Sequence, residues 1–251
     1  MVATINAGTA ARWQTETTPY RASYARLADK RVRPRIRVLI ADDHTLLRQG
    51  LRFLLETKGN VEVVAEARNG REAVVKTEEF RPDIVLMDIG MPVMNGIEAT
   101  RQIARRDRRA RVVILSTRMY EDYLSQILQA GAAGYVLKDA DADELLRAIE
   151  EVHYGNSYLS PALSRTIVFD YLNGRREKRE LDDSDNLTSR EREILQLIAE
   201  GYSNQQIADQ LCVSVKTVEA HKAHMIAKLG LKGSAALTRY AIQRQLMQIE
   251  A

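Results

Sequence analysis

The sequence predicts an α/β domain of five strand-helix units followed by a small all-α domain of the helix-turn-helix kind, and three observations carry that expectation. From Ile36 onward, short apolar runs alternate with amphipathic stretches, the pattern of a parallel sheet covered by helices on both faces. The run Ile84 to Met87 ends in a carboxylate, Asp88, which places it at the strand end where open α/β sheets gather their ligand chemistry. Beyond Leu187, two short helical stretches, each opened by a capping residue, flank a three-residue turn.

The totals are compatible with this division. A chain of 251 residues that is 45% hydrophobic and 28% charged can bury one large core or two smaller ones. No apolar run approaches the roughly 20 residues needed to cross a bilayer, and the N-terminus lacks the charged, apolar and small-residue segments of a secretory signal, so a cytoplasmic protein is expected. The lone cysteine, Cys212, excludes an internal disulfide and reads as a small buried apolar residue. The net charge of +3 is uneven: the first 35 residues and the last domain are basic, and the stretch between them is acidic.

Residues 1–35 show no periodicity and end in Lys30-Arg-Val-Arg-Pro-Arg35, as expected of a flexible basic N-terminal arm. Residues 36–154 then hold the alternation. Strands are expected at 36–41, 61–67, 84–88, 112–116 and 134–137, and helices near 45–57, 70–80, 97–105, 121–130 and 142–154. In the first helix Leu47, Leu51, Leu54 and Leu55 share one face. Between Asp88 and the third helix, Pro92 and Gly96 bring the restricted and permissive backbones that suit a shaped turn.

The polar residues at the strand ends form a set: Asp42 and Asp43 after strand one, Asp88 after strand three, Ser116 and Thr117 after strand four, and Lys138 after strand five. Taken singly, each reads as a cap or turn residue. Together they carry a chemical meaning, because three converging carboxylates repel one another unless a cation is present, and all-oxygen ligands suit Mg²⁺. Such a site would neutralise phosphoryl oxygens while a carboxylate attacks as nucleophile, with a lysine ammonium and a hydroxyl completing the cradle.

On these residues, 36–154 resembles the receiver domain of two-component response regulators. The resemblance implies a flavodoxin-like (βα)5 fold, with Asp42 and Asp43 as the acidic pair that binds Mg²⁺ together with Asp88. It implies phosphorylation at Asp88 in Met87-Asp-Ile-Gly-Met-Pro92, Ser116 as the switch hydroxyl, Lys138 in Gly134-Tyr-Val-Leu-Lys138 as the phosphate-binding lysine, and Tyr135 as the aromatic that rotates inward on activation. Thr117 is the lesser alternative to Ser116. Lys138 is followed by Asp139 where many receivers have proline.

Residues 155–186 are expected to be a linker, partly helical after Tyr158-Leu-Ser-Pro-Ala-Leu163 and then charged and mobile. In 187–251, Thr188-Ser-Arg-Glu191 is a capping box opening a helix with Ile194, Leu195, Leu197 and Ile198 apolar, ended by Gly201. Ser203 opens a second helix and Ser214 a third, near 215–229, so a helix-turn-helix spans about 203–222, its second helix placed to enter the DNA major groove. On the third helix Val215, Val218, Met225, Ile226 and Leu229 make the core side. Lys216, Thr217, Ala220, Ala223 and His224, with Glu219 at the edge, face away; Ala220 and Ala223 permit close approach to base edges, while Lys216, Thr217 and His224 suit phosphate contacts. Lys222 leans toward the apolar side and is expected to snorkel. Ser203, Asn204 and Ser214, at the helix starts, complete the expected DNA-contacting set.

Leu187 to Ile242 resembles the LuxR-type DNA-binding domain through Leu-Thr-Ser-Arg-Glu-Arg-Glu-Ile-Leu, Gly-Tyr-Ser-Asn-Gln-Gln-Ile-Ala and Val-Lys-Thr-Val-Glu-Ala-His. The combination resembles a NarL/FixJ-type response regulator. It implies a sensor histidine kinase as phosphodonor, a homodimer on inverted DNA half-sites when active, no membrane partner, and a last helix near 234–246 that can pair the DNA-binding domains. Two other classes differ in one feature each, and a third in none. An aspartyl phosphatase needs a second acid two residues after the nucleophile, where Gly90 stands. A ligand-governed LuxR-type regulator needs an apolar sensor pocket in place of the acidic site. A LuxR-type transcription factor working without phosphorylation would carry the same residues.

Overall fold

The structure is a computed structural model that describes residues 35–117, 121–164 and 187–243. The basic arm, most of the expected linker and the stretch from 244 to 246 read as the end of the last helix lie outside these residues.

Five strand-helix units appear in the expected order: β1 (Ile36–Ala41), α1 (Thr45–Lys58), β2 (Val61–Ala67), α2 (Gly70–Phe80), β3 (Ile84–Asp88), α3 (Gly96–Arg106), β4 (Arg111–Ser116), α4 (Glu121–Ala130), β5 (Gly134–Leu137) and α5 (Ala142–His153). The sheet runs β2-β1-β3-β4-β5 with parallel pairing throughout. Strand side chains alternate between two cores. Leu39, Val85, Met87, Ile114 and Tyr135 face one, with Ala73, Ala99, Ile103 and Ile127 of α2, α3 and α4. Val38, Ile40, Leu86, Val113 and Val136 face the other, with Leu55 of α1 and Leu145 and Ile149 of α5. Burial on both faces is why these strands read as continuous apolar runs.

The helices begin where the sequence offers caps. Asn69, Asn95 and Asp141 each accept a hydrogen bond from the amide three residues on, and each N3 residue is a glutamate that complements the helix dipole. A sixth parallel strand, β6 (Tyr158–Leu159), was not expected: it lies beside β5, with the Tyr158 amide donating to Ala133 O and the Ser160 amide to Tyr135 O. Ser160 is buried, its hydroxyl meeting the Leu137 amide and the Glu144 carboxylate. The first part of the region read as linker is thus built into the sheet.

The second domain has its own core. α6 (Ser189–Ala199), α7 (Asn204–Leu211), α8 (Val215–Lys228) and α9 (Ser234–Gln243) enclose Leu187, Ile194, Leu195, Leu197, Ile207, Leu211, Val218, Met225, Leu237 and Ala241. Thr188 and Ser203 both form full capping boxes, with Glu191 and Gln206. Val215, Ile226 and Leu229 flank the core while Val218 and Met225 lie within it. Cys212 corrects an expectation: it is exposed, because it occupies the left-handed position that ends α7, at φ 53°, and its side chain is carried outward.

Candidate functional site

The C-terminal ends of β1, β3, β4 and β5 bring the polar residues together as expected from the sheet order. Lys138 Nζ lies 2.7 Å from Asp42 Oδ2 and 2.9 Å from Asp88 Oδ1, and all three side chains are almost wholly buried. The neighbouring register positions add Ser116, which is buried and pairs with Leu137; its carbonyl accepts from the Lys138 amide at 2.7 Å. Thr117 is exposed, so burial singles out Ser116 of the two hydroxyls. Tyr135 is fully buried in the core between β4 and β6.

Burial pushes the Asp88 carboxyl above its ordinary value; the Lys138 ammonium opposes this, and the charges of Asp42 and Asp43 reinforce it. Burial alone would lower Lys138, yet Asp88 and Asp42 outweigh it and hold the ammonium above its ordinary value. The lysine is therefore charged at neutral pH and partly offsets three carboxylates.

Two residues of this site were not singled out from the sequence. Arg48, buried on α1, donates from Nη1 to the Asp42 carbonyl at 2.6 Å and from Nε to Glu66 at 3.1 Å, fixing the strand end from behind. His44 donates its amide to Asp42 Oδ1 at 2.8 Å, and its Nδ1 lies 3.2 Å from the same oxygen and 2.9 Å from Asp43 Oδ1. Asp43 Oδ1 is shielded from solvent without a hydrogen bond of acceptable geometry. Among the described residues, Asp42, Asp43, His44 and Asp88 form the cluster whose donor atoms lie within 4.8 Å of one another. Three carboxylates, one with an orphaned oxygen, fit a hard divalent cation.

The loop leaving Asp88 is tightly drawn. The Gly96 amide donates to Ile89 O at 2.9 Å, and a Cβ on Gly96 would run into Asp88 O. Space, and no unusual dihedral, requires this glycine. The left-handed residue of the loop is instead Val93, at φ 69°, a conformation that is strained for a β-branched side chain.

That loop is also where the second domain docks. Gln196 of α6 accepts from the Asn95 amide at 2.8 Å and donates to Met91 O at 2.9 Å. Glu200 accepts from the Val93 amide at 3.2 Å. Around them Glu193 accepts from Arg71 at 2.9 Å and from Gln102 at 2.8 Å, and Arg192 lies 3.6 Å from Glu98. Burial raises the Glu200 carboxyl above its ordinary value despite the hydrogen bonds from Gln196 and Val93.

The outward arc of α8 matches the sequence reading in exposure. Lys216, Glu219, Ala220, Ala223 and His224 are exposed and Thr217 half-buried. Ser203 and Ser214 are exposed N-caps whose hydroxyls accept from the Gln206 and Thr217 amides. Asn204 accepts from Lys222 at 3.0 Å, so this lysine is tied to α7 and does not merely snorkel. The contact between the domains runs through α6, leaving the 216–224 arc uncovered by the α/β domain.

Comparison with known proteins agrees with both halves. Residues 38–150 match the response regulator receiver domain family, and residues 185–241 match the bacterial regulatory proteins of the luxR family. The oxygen regulatory protein NreC of Staphylococcus aureus is 41% identical over 216 residues, which is 85% of this chain and all of that protein. A LuxR-family two-component response regulator from Aurantimonas shares 38% identity at a TM-score of 0.53 over 55% of this chain and 99% of that one. A structure of two RcsB dimers bound to two parallel DNAs aligns at 26% identity and a TM-score of 0.51, covering 83% of this chain and 98% of that one.

Proposed function

Since the chain belongs to the two-component response regulators that join a receiver domain to a LuxR-type DNA-binding domain, we propose that Asp88 is its phosphorylated residue and that the modification governs how α6 is held. The observation that supports this most is the buried Lys138 ammonium set between Asp42 and Asp88, with Ser116 on the neighbouring strand end. An Asp88 oxygen forms the new bond to phosphorus as the bond from phosphorus to the donor, a histidine of a sensor kinase, breaks. Lys138 and Ser116 then meet the phosphoryl oxygens. Asp42 and Asp43, with Asp88, would hold a divalent cation, taken to be Mg²⁺, which would supply positive charge to offset those oxygens. Arg48 keeps Asp42 in place.

The rest of the mechanism uses the loop from Ile89 to Asn95. A phosphoryl group on Asp88 changes charge and volume where this loop begins, and Gln196 and Glu200 grip the loop's main chain. We assign Tyr135 the accompanying rearrangement, since it lines the same core and its carbonyl holds β6. Release of α6 frees the second domain to pair with a second copy and place two α8 helices on inverted half-sites roughly one helical turn apart or a multiple of it. The RcsB dimers on DNA support that assembly. In it Lys216, Thr217 and His224 contact phosphates, Ala220 and Ala223 approach bases with Glu219 beside them, and Ser203, Asn204 and Ser214 contribute from the helix starts. Among the described residues no helix is long and apolar enough to cross a membrane, and we place the protein in the cytoplasm.

The test treats the full chain with a small phosphodonor and Mg²⁺ and follows intact mass, dimerisation and operator binding together. Added phosphate with tighter, dimeric DNA binding is expected. Phosphate uptake that changes neither dimerisation nor binding would overturn the coupling.

A further inference from the structure

We propose that the arginine-rich turn between α3 and β4 is a second DNA contact of this chain, a phosphate-backbone surface on the α/β domain that binds duplex DNA without regard to sequence. The inference goes beyond the phosphorylation of Asp88 and does not depend on it.

Five of the seven residues from Arg105 to Arg111 are arginines, and Asp107 is the single acid among them. The topology adds to this charge, because the turn lies at the edge of the sheet opposite Asp88, where the strands begin. The Arg111 amide donates to Asp83 O at 2.9 Å and the Arg37 amide to Asp83 Oδ2 at 2.9 Å, so the starts of β1, β3 and β4 meet there. The Arg37 guanidinium donates to Phe80 O at 2.7 Å, beside the exposed Arg81. Arg105, Arg106, Arg108 and Arg109 are exposed as well.

The carboxylates in contact with this surface are engaged. Asp107 Oδ1 accepts from the Arg109 amide at 2.9 Å and faces its Nε at 3.4 Å, and Glu78 of α2 pairs with Arg106 at 2.8 Å. Among the described residues Arg81, Arg105 and Arg108 form no ion pair. Exposed like charges set this closely repel one another, and an extended polyanion relieves that repulsion. Guanidinium groups match phosphate oxygens with paired donors.

Three features identify duplex DNA as the polyanion. The first is continuity with the helix-turn-helix. Gln102, one turn before Arg105 and Arg106, donates to Glu193 at 2.8 Å; Glu193 accepts from Arg190 at 2.9 Å, and Arg190 donates to Leu211 O at 2.8 Å. Leu211 ends α7, three residues before Ser214, the cap of α8. The basic turn thus borders the end of the helix-turn-helix that leads into Lys216 and Thr217. The second is that residues 101–111 hold no aromatic side chain, which stacking on single-stranded bases would require. The third is that the exposed large apolar side chains of the described residues all lie elsewhere, so nothing here would insert into a membrane.

The experiment uses the full chain without phosphodonor and a duplex of random sequence, with affinity read by fluorescence anisotropy across a KCl series. Each phosphate contact contributes about 0.9 to the slope of log affinity against log salt. The triple variant Arg105→Gln, Arg108→Gln, Arg109→Gln should therefore reduce the slope by roughly two to three, and the reduction should add to that of Lys216→Ala. The corresponding triple lysine variant should keep most of the slope. Arg52→Gln with Arg147→Gln, which removes charge from α1 and α5, should leave it unchanged. An unchanged slope in the glutamine variant overturns the proposal, as does a loss as large in the α1 and α5 control, since net charge alone would then account for it. Wild type supplies a check that needs no variant to fold: amide exchange at 105–111 should slow when the duplex is added. Absence of that protection overturns the proposal. Protection by polyglutamate or by phosphatidylserine vesicles, with none from DNA, would make the turn an acidic-protein or membrane surface instead.

Discussion

Glu200, just beyond α6, accepts a hydrogen bond from the amide of Val93, in the loop that leaves Asp88. One residue of the DNA-binding domain thereby grips the main chain beside the proposed phosphorylation site, at the very residue whose left-handed backbone needs outside support. Gln196 grips the same loop on both sides, and the exposed 216–224 arc of α8 takes no part.

Removing this grip should loosen the loop before it changes anything else. A hydrogen bond of this kind contributes about 1 kcal/mol, roughly a fivefold change in an opening equilibrium. Amide exchange at Val93 and Asn95 should therefore rise by about that factor in Gln196→Ala or Glu200→Ala, with α8 unaffected. Unchanged exchange in the double variant would show that the loop holds itself.

The same contact should respond to pH. Because burial raises the Glu200 carboxyl, the docked form binds more protons than the undocked form between the ordinary and the raised value. Docking then strengthens as pH falls through that window and weakens as pH rises through the raised value. Arg71, Glu193, Arg192 and Glu98 also face this interface and set the background. Small-angle scattering of wild type should show compaction as pH is lowered toward the ordinary carboxylate range, a compaction that Glu200→Gln lacks.

Asp88→Asn keeps the side chain's shape but removes the nucleophile, so mass spectrometry after phosphodonor and Mg²⁺ should find no added phosphate. Lys138→Met leaves Asp42 and Asp88 buried and uncompensated, and the unliganded protein should lose about 3 kcal/mol in urea unfolding. Neutralising Asp42 as well should restore part of that loss, since the carboxylate crowding is what Lys138 offsets.

In the second domain Glu191 closes the capping box and binds Lys228 of α8 at 2.7 Å. Burial would raise its carboxyl, but Lys228 and Thr188 hold it below the ordinary carboxylate range. The stability it contributes is present above its unfolded value and lost as pH falls through the lowered one. Glu191→Gln should cost about 1 to 2 kcal/mol at neutral pH and flatten the acid limb of the unfolding profile.

Lys216→Ala should weaken operator binding almost uniformly across sequences and reduce the salt dependence by about one counterion, the signature of a phosphate contact. Fluorescence anisotropy over a salt series measures both. A change confined to one base position would make Lys216 a base reader.

Much of this was legible because the strands are buried on both faces, which leaves apolar runs that end at the polar residues of the site. Asp42, Asp43, Asp88, Ser116 and Lys138 could be grouped before any coordinates, since strand order alone carries them to one edge. The docking residues could not. Glu193, Gln196 and Glu200 fall on one helical face, and a polar face looks the same whether it meets water or another domain. His44 reads as a helix-start residue, and its relation to Asp43 is a matter of side-chain direction. Gly96 reads as a residue of permissive backbone, whereas what it supplies is room beside Asp88 O. Cys212 read as core because free cysteine usually is, and the left-handed cap overrode that preference.

The short strand Tyr158–Leu159 bears on how this protein can be cut. It covers the otherwise open side of β5, taking up the carbonyls of Ala133 and Tyr135, while Ser160 takes up the Leu137 amide. A fragment ending at His153 would bare that side as a row of unpaired main-chain groups flanked by apolar side chains, a template for sheet-to-sheet association between molecules. One ending after Ser164 would keep the edge sealed and Leu163 in its core. Solubility of a phosphorylatable fragment should thus depend on a few residues that carry no phosphoryl chemistry at all.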